Sequence, residues 1–252
     1  MSLPILPKSS RNSLLTALCL LTLPVFCRAD LAVETETGDL GKKGEWNFSQ
    51  GIQFEHGPGG KTTFLLTQLE YAMTDRSEIL FEPFLYLWGR PKGSDRYSGV
   101  GDLEITPSYM FMPEQDIMPA LVAAFKVKVP MASNREIGTG KFDWYPYLII
   151  NKHIGKWDLN ANLGVSFFGQ YGDEHLKDQF IYDFSVQHPI TNKLMGIAEI
   201  FGNSAPTESE KATFAGALAL EYTAGEHFNI FISVGYDSDN TWSIRPGFNI
   251  PF

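Results

Sequence analysis

The chain is poor in cysteine: it has two in 252 residues, Cys19 and Cys27, both within the first thirty. A disulfide framework is therefore excluded for the rest, which must hold itself together by backbone hydrogen bonding and packing. Long apolar runs are also missing. No stretch of about 20 consecutive apolar residues occurs, so no transmembrane helix is expected, and no sustained helical periodicity appears after residue 29. Basic residues are scarce, 20 Lys and Arg against 29 acids for a net charge of −9, which argues against a nucleic-acid partner and against a polybasic membrane anchor. The five histidines, His56, His153, His175, His188 and His227, are scattered, with no clustered His or Cys, so no metal and no cofactor is expected.

What is present begins with an export signal. Lys8 and Arg11 precede the apolar core 13–26, and Cys27-Arg28-Ala29 places small residues at −3 and −1, so cleavage is expected after Ala29. Phe26 before Cys27 disfavours a lipoprotein signal. Loss of Lys8, Arg11 and Arg28 takes the net charge from −9 to −12. The expected organisation is a signal peptide over 1–29, a periplasmic N-terminal segment over 30–43, and one domain over 44–252.

That domain reads as alternating segments of roughly ten residues separated by turn-rich breaks. Over 45–56, Trp46, Phe48, Ile52 and Phe54 share one parity, and Glu45, Asn47, Ser49, Gln53 and Glu55 the other. The pattern repeats over 157–170 and 242–252. It predicts twelve strands, at about 44–56, 62–74, 77–89, 100–112, 117–130, 141–152, 157–169, 178–189, 193–203, 211–223, 227–237 and 242–252. Tight breaks (74–78, 112–116, 151–156, 189–193, 223–227) mostly alternate with longer ones (90–99, 130–140, 170–177, 203–211). Short turns on one rim and longer loops on the other define an outer-membrane barrel, with both termini on the periplasmic side. The expected fold is all-β: a closed antiparallel transmembrane β-barrel of about 12 strands.

Outward-parity aromatics gather in two bands: Trp46, Tyr71, Tyr109, Trp157, Tyr222, Phe228 and Phe252 toward the periplasm, and Phe54, Phe64, Trp144, Phe167, Phe180, Tyr182, Phe214, Tyr236 and Trp242 toward the outside. A soluble lipocalin-like barrel would turn the apolar parity inward. The polar parity here carries many Asn, Gln, Ser, Gly and Ala, which suits a lumen better. Pro83, Pro107, Pro119, Pro146 and Pro246 fall inside predicted strands, all on the outward parity, and predict bulges or broken pairing.

Twelve strands spaced about 4.8 Å and tilted about 40° enclose a backbone cylinder roughly 24 Å across, leaving a bore of about 10 Å or less. Candidate lumen and selectivity residues are Asp102, Glu104, Lys126, Lys128, Asp143, Asp158, Asn160, Asp183, Glu199, Glu221 and Arg245, with Asn162 and Lys211 beside them. A tight turn centred on Gln115 sets Asp102 opposite Lys128 and Glu104 opposite Lys126. Such pairs either stiffen the wall or set the field of a constriction; in the second case Lys126→Glu with Lys128→Glu shifts conductance toward cations.

The stretch 99–169 resembles the family named for the MetA pathway of phenol degradation. The matching pieces are Gly99-Val100-Gly101-Asp102, a strand ending in Tyr109, Pro119, Val129-Pro130, Gly138-Thr139-Gly140 with Asp143, and Asn162-Leu163-Gly164, with a looser likeness over 40–252. The resemblance implies an outer-membrane barrel associated with uptake of small, often aromatic, compounds, and brings no catalytic residues. The expected function is a channel or passive transporter for small solutes in the bacterial outer membrane. The alternatives are a barrel enzyme acting on lipid or peptide and a structural barrel without an open pore. Expected partners are outer-membrane lipid, lipopolysaccharide (for which Asp173, Glu174, Glu208, Glu210, Asp237 and Asp239 are either cation bridges or a solvated acidic face) and the barrel assembly machinery. Phe252, with Ile250 and Phe248 before it, has the form of the assembly signal. Deleting Phe252 should lower the yield of heat-modifiable barrel in outer-membrane fractions and leave export intact.

Overall fold

The computed structural model describes residues 32–170, 176–208, 210–225 and 227–252. The signal-peptide expectation, and the loop residues Asp173, Glu174 and His175, lie outside the described residues. Fourteen strand segments follow one another: β1 (Trp46–Gly57), β2 (Gly60–Thr74), β3 (Ser77–Pro83), β4 (Tyr86–Pro91), β5 (Tyr97–Gly99), β6 (Leu103–Met112), β7 (Ala120–Val129), β8 (Asp143–Ile154), β9 (Trp157–Ser166), β10 (Gln179–Pro189), β11 (Leu194–Asn203), β12 (Thr213–Gly225), β13 (Phe228–Asp237) and β14 (Trp242–Pro251). All neighbours are antiparallel, and β1 pairs with both β2 and β14, so the sheet closes on itself. Closure leaves the wall without a continuous edge, which a sheet in hydrocarbon requires, and the short β5 pairs on one side only, with β4.

The fourteen segments make twelve staves. The predicted strand 77–89 is one stave broken in two: β3 pairs with the periplasmic half of β2 (Leu69↔Phe81) and β4 with its outer half (Phe64↔Leu87). The next stave is split likewise into β5 and β6. The break follows from Pro83 and from Asp102, whose carboxylate turns to accept the Met131 and Ala132 amides at 2.9 and 2.8 Å. Phe84 stitches the gap, donating its N–H to the Asp102 carbonyl (3.2 Å) and accepting from Gly101 (2.9 Å).

The in-strand prolines share one logic. A strand residue points its N–H toward one neighbour only, so proline costs one ladder and spares the other. Pro107 pairs with Ile79, but the β6–β7 ladder passes from Ile105↔Val127 straight to Ser108↔Ala124. Pro146 pairs with Phe125, while the β8–β9 ladder starts only at Tyr147↔Gly164, beyond an isolated Trp144↔Phe167 bridge. Pro246 pairs with Ile232, and β1–β14 skips from Gly51↔Gly247 to Phe54↔Ile244. Pro83 pairs with Leu103 and leaves 66–68 of β2 without a partner on that side. Pro119 lies in the turn before β7, outside any strand.

The two faces separate as the alternation requires. Phe184, Leu218, Ile230, Ile232 and Val234 are exposed on the outside, whereas Gln68, Lys126, Asn160, Asn162 and Ser185 are buried within. Tyr236 with Trp242 and Trp46 with Tyr71 close against each other at opposite rims, ring centroids 4.8 and 4.4 Å apart. An apolar exterior around a polar interior is that of a membrane-spanning barrel of the outer-membrane type. One girdle assignment is corrected: Phe64 shares the inward parity of Leu66, Gln68 and Glu70, and is buried in an apolar cluster inside the barrel. Lys211 is corrected too. It precedes β12 and is exposed in a loop, not in the lumen. Single cysteines at Ser94, in the loop between β4 and β5, and at Thr191, in the turn between β10 and β11, check the orientation. On intact cells an impermeant maleimide should label the first and spare the second.

Candidate functional site

The lumen wall is built from inward side chains of adjacent staves. The β6–β7 register differs from the predicted one by two residues, with Glu104 opposite Lys128. The connection runs over 113–119, longer than the tight break expected at 112–116, and its centre moves from Gln115 to Asp116; a bulge between Met110 and Met112 takes up one residue of the difference. A two-residue slip preserves parity, so all four charges still face inward, and the expected partners meet on the diagonal. The Lys126 ammonium lies 3.1 Å from Glu104 and 3.0 Å from Glu82 on β3; that of Lys128 lies 3.6 Å from Asp102 and in contact with Asp143 on β8. Each lysine thus bridges two acids. Gln68 donates to Glu82 at 3.0 Å, and Asp143 accepts from the Gly169 amide at 2.9 Å. Lys126 has no exposed surface, so its charge is committed to the wall.

The other candidates line the remaining circumference. Asp158 and Asn160 on β9 share a network with Asn151: the Asn151 amide donates to Asp158 at 2.6 Å and to Asn160 at 2.9 Å. Asp183 on β10 is buried opposite Asn162. Glu199 on β11 is buried, Glu221 on β12 is half-buried opposite Met195, and Arg245 on β14 is buried with its Nε donating to Gln53 at 2.6 Å. Among the described residues, the buried wall acids are Glu70, Glu78, Glu82, Asp102, Glu104, Asp143, Asp183 and Glu199, against three bases, Lys126, Lys128 and Arg245.

Residues 32–43, expected in the periplasm, instead run through the lumen. From Gly44, whose N–H donates to the Ala72 carbonyl at the periplasmic rim (2.8 Å), the chain can be traced upward by its contacts. Asp39 reaches His153 at 3.1 Å, and the Gly38 N–H points to Asn160 at 3.3 Å. Asn162, its amide turned to match donor with acceptor, accepts from the Glu36 N–H at 2.8 Å and donates to the Glu36 carbonyl at 3.0 Å. The Tyr147 hydroxyl donates to Glu36 at 2.6 Å. Glu199 accepts the N–H groups of Glu34 and Thr35 at 3.0 Å and the Thr35 hydroxyl at 2.9 Å. Arg245 holds Glu34. Ala32 and Val33 end in an apolar cluster with Phe64, Leu66, Leu87, Ile137, Ile197, Ala219 and Phe231.

Sequence reasoning missed this strap because 32–43 carries no two-sided apolar alternation and looks like a polar leader. The surplus of inward acids was the available signal, since buried carboxylates require donors that three wall bases do not supply. Beside the strap's outer end lies a cavity of about 80 Å³ lined by Phe64, Leu66, Phe84 and Phe201 together with Gln53, Glu55, Ser233 and Arg245. At the periplasmic end, Glu114 in the turn before β7 receives hydrogen bonds from Lys152 and His153. Although burial works against it, these bonds bring its pKa down to about 2.

A closed transmembrane β-barrel with an internal strap and a polar, acid-rich lumen is thus the class that fold and site define. The chain belongs to the family described as "Putative MetA-pathway of phenol degradation", whose profile matches residues 67–250. No curated protein sequence matches the chain. Among solved structures, it is similar to the COG4313 outer membrane channel from Pseudomonas putida F1 (14% identity, 85% of this chain and 98% of that one, TM-score 0.69). It is also similar to the NanC porin (12% identity, 81% and 98%, TM-score 0.60) and to the CymD monoaromatic hydrocarbon channel (5% identity, 84% and 89%, TM-score 0.50). These likenesses show the shared fold.

The lysine network makes a stability prediction. Lys126→Ala strands Glu82 and Glu104 in the wall and should cost about 3–5 kcal/mol, read as a lower urea midpoint for the folded barrel in detergent. Replacing both acids by Gln beside Lys126→Met should recover most of that loss.

Proposed function

We propose that the protein is a passive channel for small solutes across the bacterial outer membrane, held narrow by the strap 32–43 and conducting when the strap shifts. The strap's position inside the lumen carries this reading. Its attachments are hydrogen bonds to Glu199, Tyr147 and Asn162, the Glu34–Arg245 and Asp39–His153 contacts, and the apolar cluster around Ala32 and Val33. Hydrogen bonds to charged groups contribute about 1.5–3 kcal/mol each, so the strap opens only when these attachments are released as a set. Membership of the family supports the same reading, as do the channels and porins that share the fold.

The lining narrows the solute class. The wall's three bases are each held by acids, and the remaining acids leave the lumen negative. Such a field favours neutral or cationic solutes over anions. The aromatic side chains in the lining of the outer cavity suit a compact apolar or aromatic body. Lipopolysaccharide around the outer rim and the assembly machinery acting on Phe252 are the partners this reading requires.

Planar-bilayer recording tests it. The purified barrel should show small, cation-preferring steps, and deletion of 32–43 should raise the conductance several-fold without reversing the preference. Conductance unchanged by the deletion would remove the strap as the obstruction. Anion preference in both forms would contradict the account of the lumen field.

A further inference from the structure

The fold brings together three metal-ligating side chains that are far apart in sequence: Asp39 on the strap, His153 at the periplasmic end of β8, and Asp158 at the start of β9. Their ligating atoms all lie within 4.8 Å of one another. We propose that they form a binding site for a divalent transition cation, zinc above all, which fastens the strap to the barrel wall at the periplasmic mouth. The inference does not depend on the protein being a channel.

The tautomer of His153 is the first argument. Its Nδ1 lies 2.6 Å from Glu114, a carboxylate that only accepts, so Nδ1 carries the proton. The Glu114 carboxylate is itself fixed, taking the His153 backbone N–H at 3.0 Å and lying 2.7 Å from the Lys152 ammonium. In neutral His153 the Nε2 lone pair then faces two further acceptors, Asp39 at 3.1 Å and Asp158 at 3.8 Å. Three lone-pair donors converging on one point draw a positive charge, either a proton on Nε2 or a cation seated among the three. A carboxylate on the far nitrogen is the outer-sphere partner that metal-bound histidines use to set tautomer and basicity.

The spacing is the second argument. Donors at about 2.1 Å from a tetrahedral zinc lie about 3.4 Å from one another. The two distances from Nε2 bracket that value. Asn151 and Asn160 both donate to Asp158 Oδ1, at 2.6 and 3.2 Å, which fixes the carboxylate and leaves Oδ2 as its less engaged oxygen. Two carboxylates and one imidazole neutralise a divalent ion and leave a fourth position for water. One nitrogen ligand with two oxygens favours zinc over magnesium or calcium, which take oxygen cages. Access is open: Asp39 and Asp158 also line the periplasmic mouth cavity, which Glu45 and Glu70 make acidic.

Since Asp39 is the strap's contribution and the other two ligands belong to the wall, the ion acts as a latch. Isothermal titration of zinc into the full-length folded barrel should show one site per chain. His153→Ala and Asp39→Asn should each abolish it, and Glu114→Gln should weaken it about 10–100-fold. Zinc should also slow hydrogen exchange over 34–40 in the parent protein but not in His153→Ala. Heat-modifiable migration of each variant certifies its fold, and His153→Gln stands in if the alanine variant does not assemble. No zinc binding by the parent, with His153 titrating as a simple imidazolium among its three carboxylates, overturns the site. Binding that survives Asp39→Asn, with exchange over 34–40 unaffected, overturns the latch.

Discussion

An acid-lined lumen has to be supplied with hydrogen-bond donors. Among the described residues, the wall places eight buried carboxylates inside the barrel and three buried bases with them. A buried carboxylate without donors is among the costliest arrangements in a protein. The structure meets the demand in two ways. On one side Lys126 and Lys128 each serve two acids. On the other, the strap presents backbone N–H groups and a threonine hydroxyl to Glu199. The strap adds acids of its own, and these are met by Arg245 and Tyr147.

A second constraint acts on the backbone. The staves must close without an edge, yet the chain places prolines within them. Because each proline faces its missing N–H toward one neighbour only, the wall loses pairing locally along one seam and keeps it along the other. Where Pro83 adds to the turned-in Asp102, the loss becomes a break in two adjacent staves. Loop amides from Met131 and Ala132, together with Phe84, then replace the ladder bonds. The same aspartate that carries the family resemblance in Gly99-Val100-Gly101-Asp102 therefore also holds the wall together.

Much of this was legible in the sequence, because a period of two is a local property. The stave number, the inward face of Asp102, Glu104, Lys126 and Lys128, and the broken ladders at the prolines all follow from parity and from what proline lacks. Other features depend on distances that parity does not carry. The β6–β7 register turned on the length of the connection, 113–119, which the turn residues do not announce. Phe64 was misplaced because an aromatic on a strand end reads as girdle, whereas it sits in the apolar cluster that receives Ala32 and Val33. The strap itself was invisible to periodicity. Its contacts span up to 211 positions of sequence, as between Glu34 and Arg245.

Taken together, wall, strap and mouth describe a barrel whose lumen is occupied by a piece of its own chain. The apolar cluster anchors the strap's outer end, Glu199 its middle, and Asp39 with His153 its periplasmic end. The central claim is that this segment lies inside the barrel in the membrane. Paired cysteines at Thr35 and Glu199 test it most directly, since no other cysteine follows Cys27. Mild oxidation in isolated outer membranes should yield an intramolecular cross-link in most of the folded barrel. Free thiols at position 35, readily labelled from the periplasmic side and not cross-linked to 199, would contradict the account.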